Sequence, residues 1–390
     1  MNLYKDISFF KGLNSLRFFA AFLVVMHHTE TIRKKNGLEN FEWLGLFRNG
    51  STAVTFFFVL SGFLITYLLL KENNKTGTIS VKKFYIKRVL RIWPLYFLLV
   101  ITGTLILPEL FSLLNINYEM PYSFGQVWHY FLFFLPGLVT FYFGHHLLEP
   151  LWSIGVEEVF YLIWAPLFKF CKRKILPILL SVIIIKIVLS VTGIYFIKNE
   201  LFNYVVNTFS FEAMAIGGLG AWFIFNRQNS LSHFFLYKKS IQVIIYLLLA
   251  TYLVFNINID NFIWNTVFKL PIFSGLVIDF LFLYLIIGVS IIDNSIIKLN
   301  SGFLSYLGEI SYGIYMYHML IIFTIILFFK KYLLTMNLTS ASIMFYSVLT
   351  LTVVGVSAIS KLFFENYFLN LKSKIEKKAA HNMILPKLQQ

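Results

Sequence analysis

Apolar runs long enough to cross a bilayer recur along nearly the whole chain, and that feature removes most folds from consideration. A helix needs roughly 20 predominantly apolar residues to span the hydrocarbon. Within lipid, only structures that satisfy their own backbone hydrogen bonds persist. Such runs fall near 13–32, 52–71, 92–108, 151–168, 175–197, 203–225, 240–257, 271–292, 303–329 and 341–363. Charged residues are 13% of the 390, about half the share in a soluble domain. The expected fold is an all-α polytopic membrane bundle of about ten transmembrane helices over residues 1–370. A basic cytoplasmic tail over 371–390 would follow, and no hydrophilic stretch is long enough for a separate soluble domain.

The chain holds 33 Lys and Arg against 18 acids. Because the basic residues fall between the apolar runs, membrane orientation accounts for them better than a nucleic-acid partner. With ten helices and a cytoplasmic N-terminus, 24 lie inside, 8 outside, and Lys186 in the membrane. One more apolar stretch, Val127 to Phe143, is interrupted by Pro136-Gly137. Counting it as a crossing gives 14 inside and 18 outside, so it is expected to be a re-entrant or surface segment on the outer side, with both termini cytoplasmic. The first run is too long for a signal peptide, and His27-His28-Thr29 stands where a cleavage site would need small residues. The single Cys171 rules out an internal disulfide and a multi-Cys metal centre, and no metal is expected.

Inside the first run lie Arg17 and His28. An ionisable group at membrane depth costs roughly 2.5–3.5 kcal/mol or more and marks a functional site by default. The eleven steps between them cover about 16 Å of helix, with the cation toward the inner half and the proton-exchanging ring toward the outer half.

Other polar groups each admit a plainer reading. Arg88 and Arg91, three apart on one helix face, suit a polyanion, or form an ordinary positive-inside cluster with snorkelling side chains. Glu157 and Glu158 open the fourth span about 100° apart. One of them could orient His28, or both could simply favour the helix dipole. Ser311, Tyr315 and His318 form one polar stripe in the ninth span, a cavity wall or helix-joining hydroxyls. Lys186 and Glu212 are read as structural, His27 points away from the His28 face, and His233 and His381 lie in loop and tail.

Taken together, these segments resemble the membrane acyltransferase 3 family, integral-membrane O-acyltransferases of bacterial glycans. Leu16-Arg17 is followed by a His eleven residues on, which selects His28 over His27. Phe57-Phe58-Val59-Leu60-Ser61-Gly62-Phe63-Leu64-Ile65 is similar to the second-helix signature, and Arg88-Val89-Leu90-Arg91 to an Arg-x-x-Arg motif. Trp152-Ser153-Ile154-x-x-Glu157 selects Glu157 over Glu158. Ser311-Tyr312 through His318 is similar to a late Ser-Tyr motif, and Phe364-Glu365 to a closing Glu. Thr55 stands where many members carry Asp or Ser, so no catalytic role is expected there. The esterase-like domain of fused members is expected to be absent.

The resemblance implies an O-acyltransferase moving an acyl group, usually acetyl, from cytoplasmic acetyl-CoA to a sugar hydroxyl of a cell-envelope glycan or lipid-linked precursor in the inner membrane. Arg17, Arg88 and Arg91 would hold the donor's phosphates. His28 would act as base or acyl carrier, oriented by Glu157, with Trp152, Ser153, Ser311, Tyr315 and His318 around the substrate. A secondary transporter of a small anion would also carry Arg, His and Glu in its spans, but the internal repeats usual for transporters are absent. The sequence leaves the acceptor, the oligomeric state, and direct transfer against an acyl-His relay open.

Overall fold

The structure, a computed structural model, describes residues 4–116, 118, 120–171, 174–227, 231, 234–259 and 271–371. All regular elements among them are helical. In chain order they are α1 (Leu13–Lys35), α2 (Gly50–Thr76), α3 (Val81–Ile101), α4 (Leu107–Leu113), α5 (Phe124–Leu132), α6 (Pro136–Phe143), α7 (Trp152–Cys171) and α8 (Ile175–Thr192). After these come α9 (Glu200–Thr208), α10 (Phe211–Asn226), α11 (Lys239–Ile259), α12 (Pro271–Ile291), α13 (Gly302–Glu309), α14 (Ser311–Leu333) and α15 (Leu338–Ser360). Short π-helical turns join α3 to α4 and extend α8 and α15.

Eight helical stretches among the described residues are long and apolar enough to cross a membrane. The remaining two long helices are α1, rich in charge, and α11, and with them each expected span has its helical counterpart. The tail from 372 onward, His233 and His381 lie outside the described residues.

The middle of the bundle is α2, which packs along α10. Gly62 and Gly217 let the two backbones meet, since a Cβ on Gly62 would strike the Met214 carbonyl and one on Gly217 the Val59 carbonyl. Small residues at such crossings are the usual way membrane helices approach closely. By contrast α8 lies at the periphery with most of its apolar surface turned outward.

Two expected spans are broken helices. The stretch 203–225 divides at Phe209, between α9 and α10. Lys186 of α8 donates to the carbonyls of Val206 (2.5 Å) and Phe209 (3.3 Å) and pairs with Glu212 at 3.3 Å. A cation at the C-terminus of α9 thus satisfies acceptors that the break frees, which gives Lys186 and Glu212 the structural role expected of them. The stretch 303–329 divides at Ile310, and Ser311 Oγ donates to the freed Gly308 carbonyl at 2.7 Å. Gly308 lies against the Asn14 backbone of α1, with no room there for a Cβ.

Residues 127–143 form two short helices, α5 and α6, reversing at Phe134 with φ 57°. At about 1.5 Å per residue each covers less than half of the hydrocarbon thickness. His146 ties down the chain that follows. It accepts from Leu148 N (3.2 Å), with the Tyr122 hydroxyl at 3.1 Å from the same Nδ1, while its Nε2 faces Thr140 Oγ1 at 3.3 Å.

The C-terminal half of α1 is clamped to α15 through fully buried charges. Glu30 accepts from Arg33 (2.8 Å), from the Tyr346 hydroxyl (2.6 Å) and from Phe41 N, and Arg33 also donates to Ser342 (2.8 Å). This network holds the helix that carries Arg17 and His28.

Candidate active site

Arg17 and His28 leave α1 on one face, because eleven residues at about 100° each return to within about 20°. Below that face lies a cavity of about 300 Å³ between α1, α2, α3, α7 and α14. Its polar lining includes Asn14, Arg17, Ser61, Arg88, Arg91, Ser153, Glu157, Tyr161, Ser311, Tyr312 and Tyr315. Three guanidiniums thus face one carboxylate, which leaves an excess of positive charge in a space walled largely by apolar side chains.

Each arginine is held differently. Arg17 donates to Asn14 Oδ1 at 3.1 Å, one turn back on its own helix. Arg88 lies over the rings of Tyr161 (5.3 Å) and Phe84 (5.6 Å), and its buried Nε has no hydrogen-bond partner among the described residues. Arg91, one helical turn on, is exposed. A buried cationic donor left unpaired is costly, so this position suits an anionic group entering from outside the protein.

Glu157 stands in this cavity, and both of its oxygens are engaged. Ser61 donates to Oε1 at 2.9 Å and Tyr161 to Oε2 at 2.5 Å, with the two hydroxyls 3.3 Å apart. Neighbouring Glu158 points elsewhere and accepts from Trp93 Nε1 at 2.8 Å. The two adjacent acids are separated as expected, Glu157 into the cavity and Glu158 onto α3.

His28 has a different partner from the expected one. Its Nδ1 lies 2.8 Å from His318 Nε2, with the rings nearly parallel at 15° and centroids 5.0 Å apart. His318 is fully buried, and its Nδ1 donates to the Tyr315 carbonyl at 2.5 Å. Among the described residues, Glu157 makes no hydrogen bond to His28. The histidine pair adjoins the cavity without lining it, with Tyr315 at the junction. The Tyr315 hydroxyl lies 2.7 Å from Ser153 Oγ and donates to the Pro150 carbonyl at 2.9 Å.

Of the expected substrate residues, Ser153, Ser311 and Tyr315 line the cavity, whereas Trp152 packs edge-on against Phe58 and lies outside the lining. Of the stripe, Ser311 and Tyr315 line the cavity and their hydroxyls also join helices, whereas His318 lies beyond the lining. His27 donates to the Phe47 carbonyl at 3.2 Å and its ring fills the space above Gly50. Among the described residues, Thr55 bonds only its own helix, at Ser51. Sequence reasoning overlooked Tyr161, and it named Ser61 and Tyr312 only as parts of motifs. Tyr161 lies four residues after Glu157, a helical spacing that could have flagged it.

Fold and cavity together define an all-α, multi-pass membrane protein with an arginine-lined chamber inside its helix bundle. The chain belongs to the acyltransferase 3 family, whose profile, described as an acyltransferase domain, matches residues 10–361. It is 31% identical over 164 residues to a protein of Staphylococcus aureus (strain COL) named "Putative O-acetyltransferase", covering 41% of this chain and 24% of that one. Over 182 residues it is 31% identical to the peptidoglycan O-acetyltransferase OatA of Listeria monocytogenes, covering 45% of this chain and 26% of OatA. Similarity to the O-acetyltransferase OatA of S. aureus (strain NCTC 8325) is also 31%, over 201 residues, 48% of this chain and 30% of that protein. The matches thus span under a third of these relatives' length. No solved structure matches the chain.

Proposed function

We propose that this protein is an O-acyltransferase that moves an acyl group, in practice acetyl, from acyl-CoA to a hydroxyl of a cell-envelope glycan or its lipid-linked precursor. The observation that carries the reading is the cavity that gathers three arginines and Glu157 and ends at Tyr315, against which the histidine pair lies. Family membership and the O-acetyltransferase names of its relatives support it.

In this reading Arg88 and Arg91 take the donor's phosphates at the cavity mouth, as planar guanidiniums pair with phosphate oxygens. The cavity is at the small end for ligand pockets. It suits the slender thioester arm of the donor, leaving the nucleotide at the mouth. Arg17, deeper on α1, offers a fixed positive charge alongside the arm. Transfer requires the thioester to pass the Ser153–Tyr315 contact.

His28 is the base. The sugar hydroxyl gives its proton to the imidazole while its oxygen attacks the thioester carbonyl, and the carbon–sulfur bond breaks. The departing thiolate takes the proton, so the products are an ester and free thiol. Glu157, already holding two hydroxyls, sets the geometry of Ser61 and Tyr161 beside the thioester. The donor enters from the cytoplasm, with both termini on that side of the inner membrane, as the distribution of Lys and Arg favours.

Purified protein supplied with radiolabelled acetyl-CoA and a cell-wall saccharide acceptor tests the proposal. Label should reach the saccharide with wild-type protein and not with H28A. Transfer that persists in H28A would overturn the assignment of the base, and absence of any acyl-CoA turnover would overturn the donor.

A further inference from the structure

We propose that His318 is a positioning residue for this reaction, fixing the tautomer in which His28 Nε2 carries the free lone pair. The inference rests on the function proposed above, because it concerns the group that acts there as base. The hydrogen-bond chain itself supplies the argument. A backbone carbonyl can only accept, so the 2.5 Å contact to Tyr315 O places a proton on His318 Nδ1. In the neutral ring, Nε2 is then an acceptor. The 2.8 Å contact between the rings must therefore be a donation from His28 Nδ1. That leaves His28 Nε2 unprotonated, and it has no hydrogen-bond partner among the described residues.

The hydrogen bond at one imidazole nitrogen sets the state of the other. In a Ser-His-Asp triad a carboxylate does this, and losing the correct tautomer there costs about 10⁴-fold in rate. Here a second imidazole performs the task, held by the α14 backbone. When Nε2 takes the hydroxyl proton, the Nδ1–H donation to His318 persists, so His318 neither gains nor loses a proton. When Nε2 returns that proton to the departing sulfur, the pair is restored. Glu157, occupied by Ser61 and Tyr161, is left free of this duty.

The test compares H318L and H318Q in the full chain. Leu removes the acceptor, whereas Gln can place its carbonyl oxygen near the position of Nε2. H318L should lower kcat about 10²–10⁴-fold while KM for acetyl-CoA stays within about twofold. H318Q should recover at least about tenfold over H318L. Nitrogen-15 spectra of histidine-labelled protein should show His28 protonated at Nδ1 in the wild type, with the tautomers mixed in H318L. An Nε2-protonated His28 in the wild type would overturn the proposal, as would H318L at wild-type rate or H318Q no faster than H318L. If H318L fails to fold, the wild-type spectrum and H318Q still decide. An active H28A would instead sink the proposed base, while the spectra still report on the pairing.

Discussion

The 2.8 Å contact between His28 Nδ1 and His318 Nε2 joins two helices whose residues stand 290 positions apart, and it connects α1 to the polar stripe of α14. Around it the bundle separates two tasks. In the proposed function the arginine cavity takes the anionic end of the donor, and the histidine pair beyond Tyr315 presents a lone pair.

The two adjacent histidines should behave oppositely. H28A removes the proton acceptor and should cost about 10²–10⁴-fold in kcat without loss of folded protein. H27A removes one hydrogen bond and a ring packed over Gly50, so it should cost about 1 kcal/mol of stability and little activity. Transfer assays paired with thermal unfolding distinguish these outcomes. The reverse pattern would mean that His27 is the reactive ring.

R88A and R91A should act on donor binding. Each removes a charge-assisted contact, so KM for acetyl-CoA should rise about tenfold or more with a smaller change in kcat. Lysine at either position should recover part of the loss, because it keeps the charge and loses the planar fork. An unchanged KM in both alanine variants would return these residues to the role of orienting the protein in the membrane.

The buried clamp of α1 should be intolerant of losing one partner. R33A leaves Glu30 buried with its cation gone and should destabilise by about 3–5 kcal/mol, seen as a drop in unfolding temperature and yield. Adding E30Q should restore part of that loss. Equal damage from the single and double variants would show that the ion pair is not what R33A disrupts.

Acid should loosen the segment around His146. Burial pushes its imidazole down to about 3, and the neighbouring His145 adds repulsion against the cation. The folded value lies below the unfolded one, near 6.5. The stability from this group is therefore complete above about pH 6.5 and is lost as pH falls toward 3, by at most about 1.4 kcal/mol per pH unit. Unfolding measured between pH 7 and 5 should weaken in the wild type and flatten in H146F. An identical slope in that variant would exclude His146 as the source.

Cysteine labelling should place both ends of the α5–α6 hairpin on one face. In a C171S background, probes at Ser123 and Glu149 should both react from outside, and one at Lys174 only after the inner face is opened. Glu119, the nearest charged residue before the hairpin, lies outside the described residues. Labels at Ser123 and Glu149 on opposite faces would make the stretch a crossing and reverse the membrane orientation of Glu157.

Much of this protein is written locally in its chain. Spans are legible because burial in lipid demands about 20 apolar residues in succession, whatever the neighbours are. Arg17 and His28 stand out for the same reason, as does Arg88 with Arg91, since their spacing on one helix needs no tertiary information. The choice of Glu157 over Glu158 came from motif resemblance, and the structure turns that side chain into the cavity.

Other features were decided only by packing. The breaks at Phe209 and Ile310 carry no Pro or Gly at the break itself. They depend on Lys186 and Ser311 reaching carbonyls that a continuous helix would have used. Ser61 and Tyr161 hold Glu157, and His318 holds His28, across 96 and 290 residues in the longer cases. Hydrogen-bond partners of this kind depend on distance and direction between helices. Those quantities exist only once α2 has met α10 and α1 has been clamped against α15, so apolar periodicity, which records what each helix buries, carries no trace of them.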